Sequence, residues 1–175
     1  MTPRTPGQQK RLGQYFSGER VGALLAALLP EDLHAASVVD PMAGVGDLLQ
    51  AAGGRTAPGA SLLGVELDPL AAGICARALP KGRVLQGDAF SCGGLRTEGG
   101  WDLVVANPPY VRYQLQSAGY RQTIRRRLLA QLEGLPYLEP GFRTLLLRLA
   151  EGYSGLSDLA VPAWLLCCAL VRPGG

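Results

Sequence analysis

The chain has 175 residues, 47% of them hydrophobic, and a formal net charge of +3. That length supports one domain with a real core and is too short for two. No run approaches the roughly eighteen apolar residues of a membrane span, and the N-terminal MTPRTPGQQKRLGQYF lacks the apolar stretch of a secretion signal, so a soluble cytoplasmic protein is expected. Cys75, Cys92, Cys167 and Cys168 form no CxxC pair and have no histidine at ligand spacing. Neither a disulfide framework nor a metal site is expected, and the cysteines read as small apolar residues.

In chain order, residues 20–29 read as a helix and 35–39 as the first of four short aliphatic strands, the others being 61–65, 83–85 and 102–106. Helical stretches 47–52 and 69–79 lie between them, the second opened by Pro69 and followed by Pro80. This alternation predicts an α/β fold, a Rossmann-like open and mainly parallel sheet with flanking helices. In such sheets ligands bind outside the carboxyl ends of the strands, so those ends are read together.

The first strand runs into VVDPMAGVGDLL, where Asp40 precedes Gly44 and Gly46 and a helix start. Glycines let backbone approach a ligand closely, and a helix N-terminus offers free N–H groups. The third glycine of a dinucleotide fingerprint is replaced by Leu49, and a tight strand-to-helix turn explains the motif equally well. The second strand ends at Glu66, 26 residues after Asp40, where a carboxylate can accept both hydroxyls of a ribose or simply cap the helix from Pro69 with Asp68. After the third strand, Asp88 can accept from an adenine amino group and Phe90 can cover the ring. Three acids ending three successive strands, with the glycine loop at the first, point to an adenosine-containing ligand.

The fourth strand ends in ANPPY. Pro108 and Pro109 stop the ladder and stiffen the backbone beyond Asn107. The Asn107 side-chain oxygen and the Pro108 carbonyl can both accept from one NH₂ group, and Tyr110 can stack on a flat ring. Two acceptors on a planar amine favour a pyramidal nitrogen whose lone pair can attack, so Asn107 acts by orientation and electrostatics. A proline-terminated turn with a buried tyrosine is the simpler alternative.

Beyond this point the charge shifts. Residues 1–110 hold nine Lys and Arg against ten acids, whereas 111–175 hold eight arginines against four. Arg112, Arg121, Arg125, Arg126 and Arg127 suit an anionic partner such as nucleic acid, or form a solvated helix face. Helical stretches are predicted at 122–133, 143–149 and 159–171, the last almost wholly apolar and expected to pack on the sheet. Trp101 and Trp164 are expected in or near the core, and His34 at the surface. The closing VRPGG reads as a turn toward a further strand that is missing, which suggests an incomplete domain, although a plain Pro-Gly terminus fits too.

These motifs resemble the S-adenosylmethionine-dependent amino-methyltransferases, and most closely the N6-adenine DNA methyltransferases of restriction-modification and phage-defence systems. DPMAGVGDLL resembles their glycine loop, VELDP the ribose acid, GDAF the adenine acid and ANPPY the catalytic motif. LGQYFSGERVGALLAALL, residues 12–29, resembles the GQYFTP segment that precedes the glycine loop in the gamma order of motifs, with Ser17-Gly18 in place of Thr-Pro. The resemblance implies a class I methyltransferase fold lacking its C-terminal strands. It divides one catalytic domain, 1–175, into a cofactor-closing segment at 12–30, a cofactor-binding core at 35–110 and an arginine-rich insertion with a sheet-packing helix at 111–175.

By the same resemblance the cofactor is S-adenosyl-L-methionine. Tyr15 and Phe16 would pack near it, and Asp40, Ala43, Gly44 and Gly46 would surround its methionine part. Glu66 and Leu67 would meet the ribose, with Asp88, Ala89 and Phe90 at the adenine. Asn107, Pro108, Pro109 and Tyr110 would form the amine site, with Asn107 also beside the cofactor. The partner would be DNA, its target adenine flipped out to stack on Tyr110, with the arginines on phosphates. A recognition domain, a specificity subunit or a restriction nuclease would have to come from elsewhere, and no membrane is involved. Other readings keep part of the pattern: methylation of a protein glutamine amide or an RNA base amine, a non-catalytic cofactor- or nucleic-acid-binding fragment, or an NAD-binding domain, against which the absent glycine and NPPY count.

Overall fold

The computed structural model describes residues 17–31, 33–109, 118–153 and 158–175. Tyr15, Phe16, Tyr110 and Arg112 therefore lie outside the described residues. Four strands, β1 (Ser37–Asp40), β2 (Ser61–Glu66), β3 (Arg83–Gln86) and β4 (Leu103–Val104), pair in parallel in the order β3-β2-β1-β4. Val38 lies opposite Leu62 on one side and Leu103 on the other, and Glu66 opposite Gln86. The expected α/β open parallel sheet is thus the one that forms.

Central β1 is buried on both faces, as parallel strands covered by helices must be. Val38 and Val39 are each 0% exposed but join different cores, because successive side chains of a strand point to opposite faces. Val38 packs with Leu49, Ala52, Cys75 and Leu79, from α2 (Asp47–Gly53) and from α3 (Pro69–Ala78) with its C-terminal cap. Val39 packs with the second helical layer, α4 (Ala118–Glu133), α5 (Pro140–Glu151) and α6 (Ala160–Leu170). Burying a side chain of this size is worth about 1.5–3 kcal/mol, so the two valines fasten a helical layer to each face of the sheet. Helix α1 (Gly18–Leu28) lies against α2.

Four sequence expectations need correction. The ladder of β4 is shorter than 102–106: Asp102 N–H donates to the Ser37 hydroxyl instead of to a neighbouring strand's backbone, and past Val104 the contact that continues is Val105 N–H to Val39 O at 3.0 Å. Helix α5 starts at Pro140 rather than 143, since the Glu139 carboxylate accepts from Gly141 and Phe142 N–H at 2.9 and 2.8 Å and Pro140 needs no donor. Helix α4 likewise extends before 122, being helical from the first described residue of that stretch, Ala118. Trp101 is 6% exposed as expected, but Trp164 is 67% exposed. Helix α6 buries Pro162, Ala163, Leu165, Leu166, Ala169 and Leu170, which leaves Val161 and Trp164, three residues apart, on the other face. After α6 the chain passes beside β4: Trp101 N–H donates to Leu170 O at 2.9 Å, Arg172 N–H donates to Trp101 O at 3.0 Å, and Val171 pairs parallel to Trp101.

Candidate functional site

From β1 the chain moves to β2 and β3 on one side and returns to β4 on the other. The carboxyl ends of β1 and β4 therefore flank a topological switch point, where an open α/β sheet leaves a crevice. A cleft opens there, lined by Ser17, Asp40, Met42, Ala43, Gly44, Val45, Asp47, Leu48 and Asn107. It unites expected residues from the first and last motifs, Asp40, Ala43, Gly44 and Asn107.

Asp40 ends β1 at 1% exposure, and its Oδ1 accepts from Met42 N–H at 2.9 Å. Burial pushes its carboxyl up to about 7, with the nearby Glu66 charge adding to the rise and the Met42 hydrogen bond opposing it. A buried carboxylate with so little compensation is costly unless a donor or cation meets it. The following loop is fixed by backbone: Ala43 N–H donates to Val65 O and Gly46 N–H to Ala43 O, at 2.9 and 2.8 Å. Gly46 caps α2 with φ of +96°, and a Cβ there would lie 2.9 Å from Cys75 Sγ, so only glycine suits the turn.

Glu66 ends β2 and joins the loops around it, its Oε2 accepting from Gly44 N–H and its Oε1 from Asp68 N–H, each at 2.8 Å. Each oxygen retains a further lone pair for a hydroxyl donor. Capping of α3 belongs to Asp68, whose Oδ1 accepts from Leu70 N–H, while Leu67 is 60% exposed. Beyond β3, Asp88 Oδ1 accepts from Phe90 N–H at 3.0 Å and opens a short 3-10 turn, Ala89–Ser91. Phe90 is 3% exposed and packs in the core that holds Ile124 and Leu128, so little of its ring is left to cover a ligand. Ala89 is buried as well.

Asn107 lies three residues past β4. Its Nδ2 donates to Ser17 Oγ at 3.1 Å, which leaves Oδ1 as the acceptor of that amide. The segment 17–18 also meets α2, because Gly18 N–H donates to Asp47 Oδ2 at 2.8 Å. Gly18 has φ of +73°. A proline at 18 would lack that donor and could not reach that φ, so the Asp47 contact requires the departure from Thr-Pro, and the positive φ favours glycine there. The sequence marks Ser17 as a departure from Thr-Pro and Asp47 as a helix start, but neither as a site residue. The signal for Ser17 was its place in GQYFS, and for Asp47 its place as the first residue after GVG.

The arginines divide. Arg127, on α4, forms an ion pair with Asp88 through Nη1 and Oδ2. Arg125 Nη1 donates weakly to Glu151 O at 3.5 Å, and Arg126 is exposed. Arg127 thus faces one of the acids expected to bind a ligand instead of standing free for phosphate. Gln131, also missed, is 3% exposed and donates through Nε2 to Ala89 O and Cys92 O at 3.3 and 3.0 Å. Among the described residues no group of three His, Cys, Asp or Glu side chains could hold a metal ion, and no helix is long and apolar enough to cross a membrane.

A parallel open sheet with a glycine loop at its switch point, acids at or just beyond the ends of three strands and an asparagine beyond the fourth places the chain in the Rossmann-like class of folds. Residues 2–129 match the family model described as N-6 DNA methylase, and the chain belongs to that family. A comparison with curated proteins finds no significant match. Among solved structures the chain is similar to a candidate RNA methyltransferase from Pyrococcus horikoshii, at 23% identity and a TM-score of 0.49, covering 67% of this chain and 59% of that one. It is also similar to a TehB-like SAM-dependent methyltransferase from Corynebacterium glutamicum, at 18% identity and a TM-score of 0.45, covering 74% and 71%. A third is an RNA methyltransferase from Salinibacter ruber in complex with S-adenosyl-L-homocysteine, at 18% identity and a TM-score of 0.42, covering 67% and 71%. The chain spans less than two thirds of the length of the first of these.

Proposed function

We propose that the protein binds S-adenosyl-L-methionine in the switch-point cleft and transfers its methyl group to the exocyclic N6 amino group of adenine in DNA. The observation that carries this reading is the meeting of Asp40, the Gly44 loop and Asn107 around one cleft, in a chain of the N-6 DNA methylase family.

The residues present fit the cofactor. Asp40, buried with one backbone hydrogen bond, suits the ammonium of an amino-acid moiety, and Glu66, with lone pairs to spare, suits a ribose diol. Asp88 keeps acceptor capacity for an adenine amino group beside its bonds to Phe90 and Arg127. When bound, S-adenosylmethionine supplies an electrophilic methyl group on a positively charged sulfur.

Asn107 provides the other half of the chemistry. Its Oδ1 accepts from the target NH₂ and holds that nitrogen's hydrogens out of the ring plane, so the lone pair is free to attack. Ser17 Oγ accepts from Nδ2, which leaves Oδ1 of that amide for the target. The target nitrogen oriented by Asn107 would take the methyl group from bound S-adenosylmethionine, which would leave as S-adenosylhomocysteine, and would release one proton to solvent. The target base is paired and stacked in a duplex, so it has to be flipped out to reach the cleft.

Incubation with methyl-labelled S-adenosylmethionine and DNA, RNA or a glutamine-bearing protein tests the reading. Label recovered as N6-methyladenine in DNA is the expected result. Label only on RNA or protein overturns the DNA substrate, and no saturable binding of S-adenosylhomocysteine by calorimetry overturns the cofactor.

A further inference from the structure

Asp88, the acid matched to an adenine amino group, is gripped from two sides. Its Oδ1 accepts from Phe90 N–H on its own turn, and its Oδ2 pairs with Arg127 Nη1 on α4. One helical turn further, Gln131 donates to Ala89 O and Cys92 O, and Arg96 Nε donates to Gln131 Oε1 at 2.8 Å. Ile124 and Leu128 pack in one core with Ala89 and Phe90. Residues 124, 127, 128 and 131 share one face of α4. That face is shaped to the Asp88–Cys92 turn, and Arg127 is the charged member of those four.

We propose that Arg127 is a positioning residue for Asp88 and sets the site's preference for an adenine ring over other purines, a proposal that rests on the adenosyl-cofactor reading above. An ionised carboxylate held at a fixed angle accepts well from the N–H of a 6-amino group. The same carboxylate repels the oxygen of a 6-oxo purine, which offers an acceptor at that position. Both effects depend on where the carboxylate points. With Arg127 on one oxygen and Phe90 N–H on the other, the group cannot rotate away, and each oxygen keeps one lone pair for a ligand. Without the guanidinium the Oδ2 side is released and the carboxylate can turn away from either ring. Arg127 thereby leaves the set of arginines read from the sequence as phosphate contacts.

Calorimetry with S-adenosylhomocysteine and its 6-oxo counterpart, S-inosylhomocysteine, on the whole chain reads this preference. Wild type favours the adenine ligand by about 10- to 100-fold, the range of one charge-assisted hydrogen bond. Arg127→Gln lowers that ratio several-fold, and Arg127→Lys, which keeps a cation, restores most of it. A purely structural role would weaken both ligands alike and leave the ratio unchanged, and that result overturns the proposal. So does an unchanged ratio with weaker DNA binding and a salt-dependence slope lower by about one, the signature of a phosphate contact. If wild type binds neither ligand, the cofactor reading itself fails, whatever Arg127 does.

Discussion

The two ends of the sheet treat a carboxylate in opposite ways. At the carboxyl end Asp40 is fully buried, accepts from Met42 N–H, and has its carboxyl raised to about 7 by that burial. At the amino end Asp102 Oδ2 accepts from Ala36 N–H, Ser37 N–H and the Ser37 hydroxyl, at 2.8, 2.8 and 3.0 Å, while its Oδ1 pairs with Arg172 Nε at 2.6 Å. Burial works against Asp102 too, but the Ser37 and Ala36 hydrogen bonds and the Arg172 charge outweigh it and hold the carboxyl below its ordinary value. One acid is satisfied by the fold itself. The other is buried in the wall of the switch-point cleft, where the Met42 hydrogen bond does not offset the penalty of burying its charge.

The largest expected effect breaks the carboxyl end alone. Asn107→Ala should lower methyl transfer by about 10²–10³-fold, the scale of losing one oriented polar group at a reacting centre, while S-adenosylhomocysteine binding changes only a few-fold. Equal loss of both would make the stretch structural. Asp40→Asn should next separate stability from binding. A raised carboxyl in the folded state contributes stability only at low pH, and that contribution is lost as pH rises from the unfolded value of about 4 through about 7. Thermal melts should therefore show the ligand-free Asn variant more stable than wild type at pH 8, by an amount of order 2–4 kcal/mol, and equal to it near pH 4. Its S-adenosylhomocysteine affinity should be weaker and should no longer rise with pH around 7.

Asp102→Ala should produce the mirror image, a loss of about 2 kcal/mol in urea unfolding at neutral pH with the binding site unaltered. Because the folded carboxyl is lowered, that stabilisation is present above about pH 4 and lost on acidification, so wild type and variant should converge in acid. The smallest effect is Gly18→Ala, about 1–2 kcal/mol, from the strain of a Cβ at φ of +73°. It acts on the cleft wall through the Asp47 contact and should be visible as a small drop in melting temperature.

Most of the architecture was legible because short aliphatic runs and proline-bounded helices have unambiguous periods. The features that were not legible depended on partners distant in sequence. Asp102 looked like a strand residue until Ala36 and Ser37 were seen beside it. Arg127 looked like one of a basic run, and only the folded chain brings it to Asp88. Trp164 looked like core because its neighbours are apolar all round, and periodicity cannot say which side of such a helix faces water. Glu139-Pro140 is a helix-start signal present in the sequence, and it sets the true start of α5. For the site, the types of residue were readable at Asp40, Glu66, Asp88 and Asn107. The contacts that orient them, from Ser17 and Arg127, were not.

The bridge between Trp101 and Val171 bears on the order in which the molecule assembles. These two residues bracket the whole excursion through α4, α5 and α6, so their pairing closes a long loop, with an entropic penalty of order 4 kcal/mol that no local contact offsets. The helices between them have to be largely in place before that pairing is favourable, whereas β1, β2 and β3 are joined by short crossovers. In pulse-labelling hydrogen exchange the amides of Val39 and Leu63 should become protected early and that of Trp101 late. The chain would then build its cofactor half first and fasten the arginine-bearing layer onto it last.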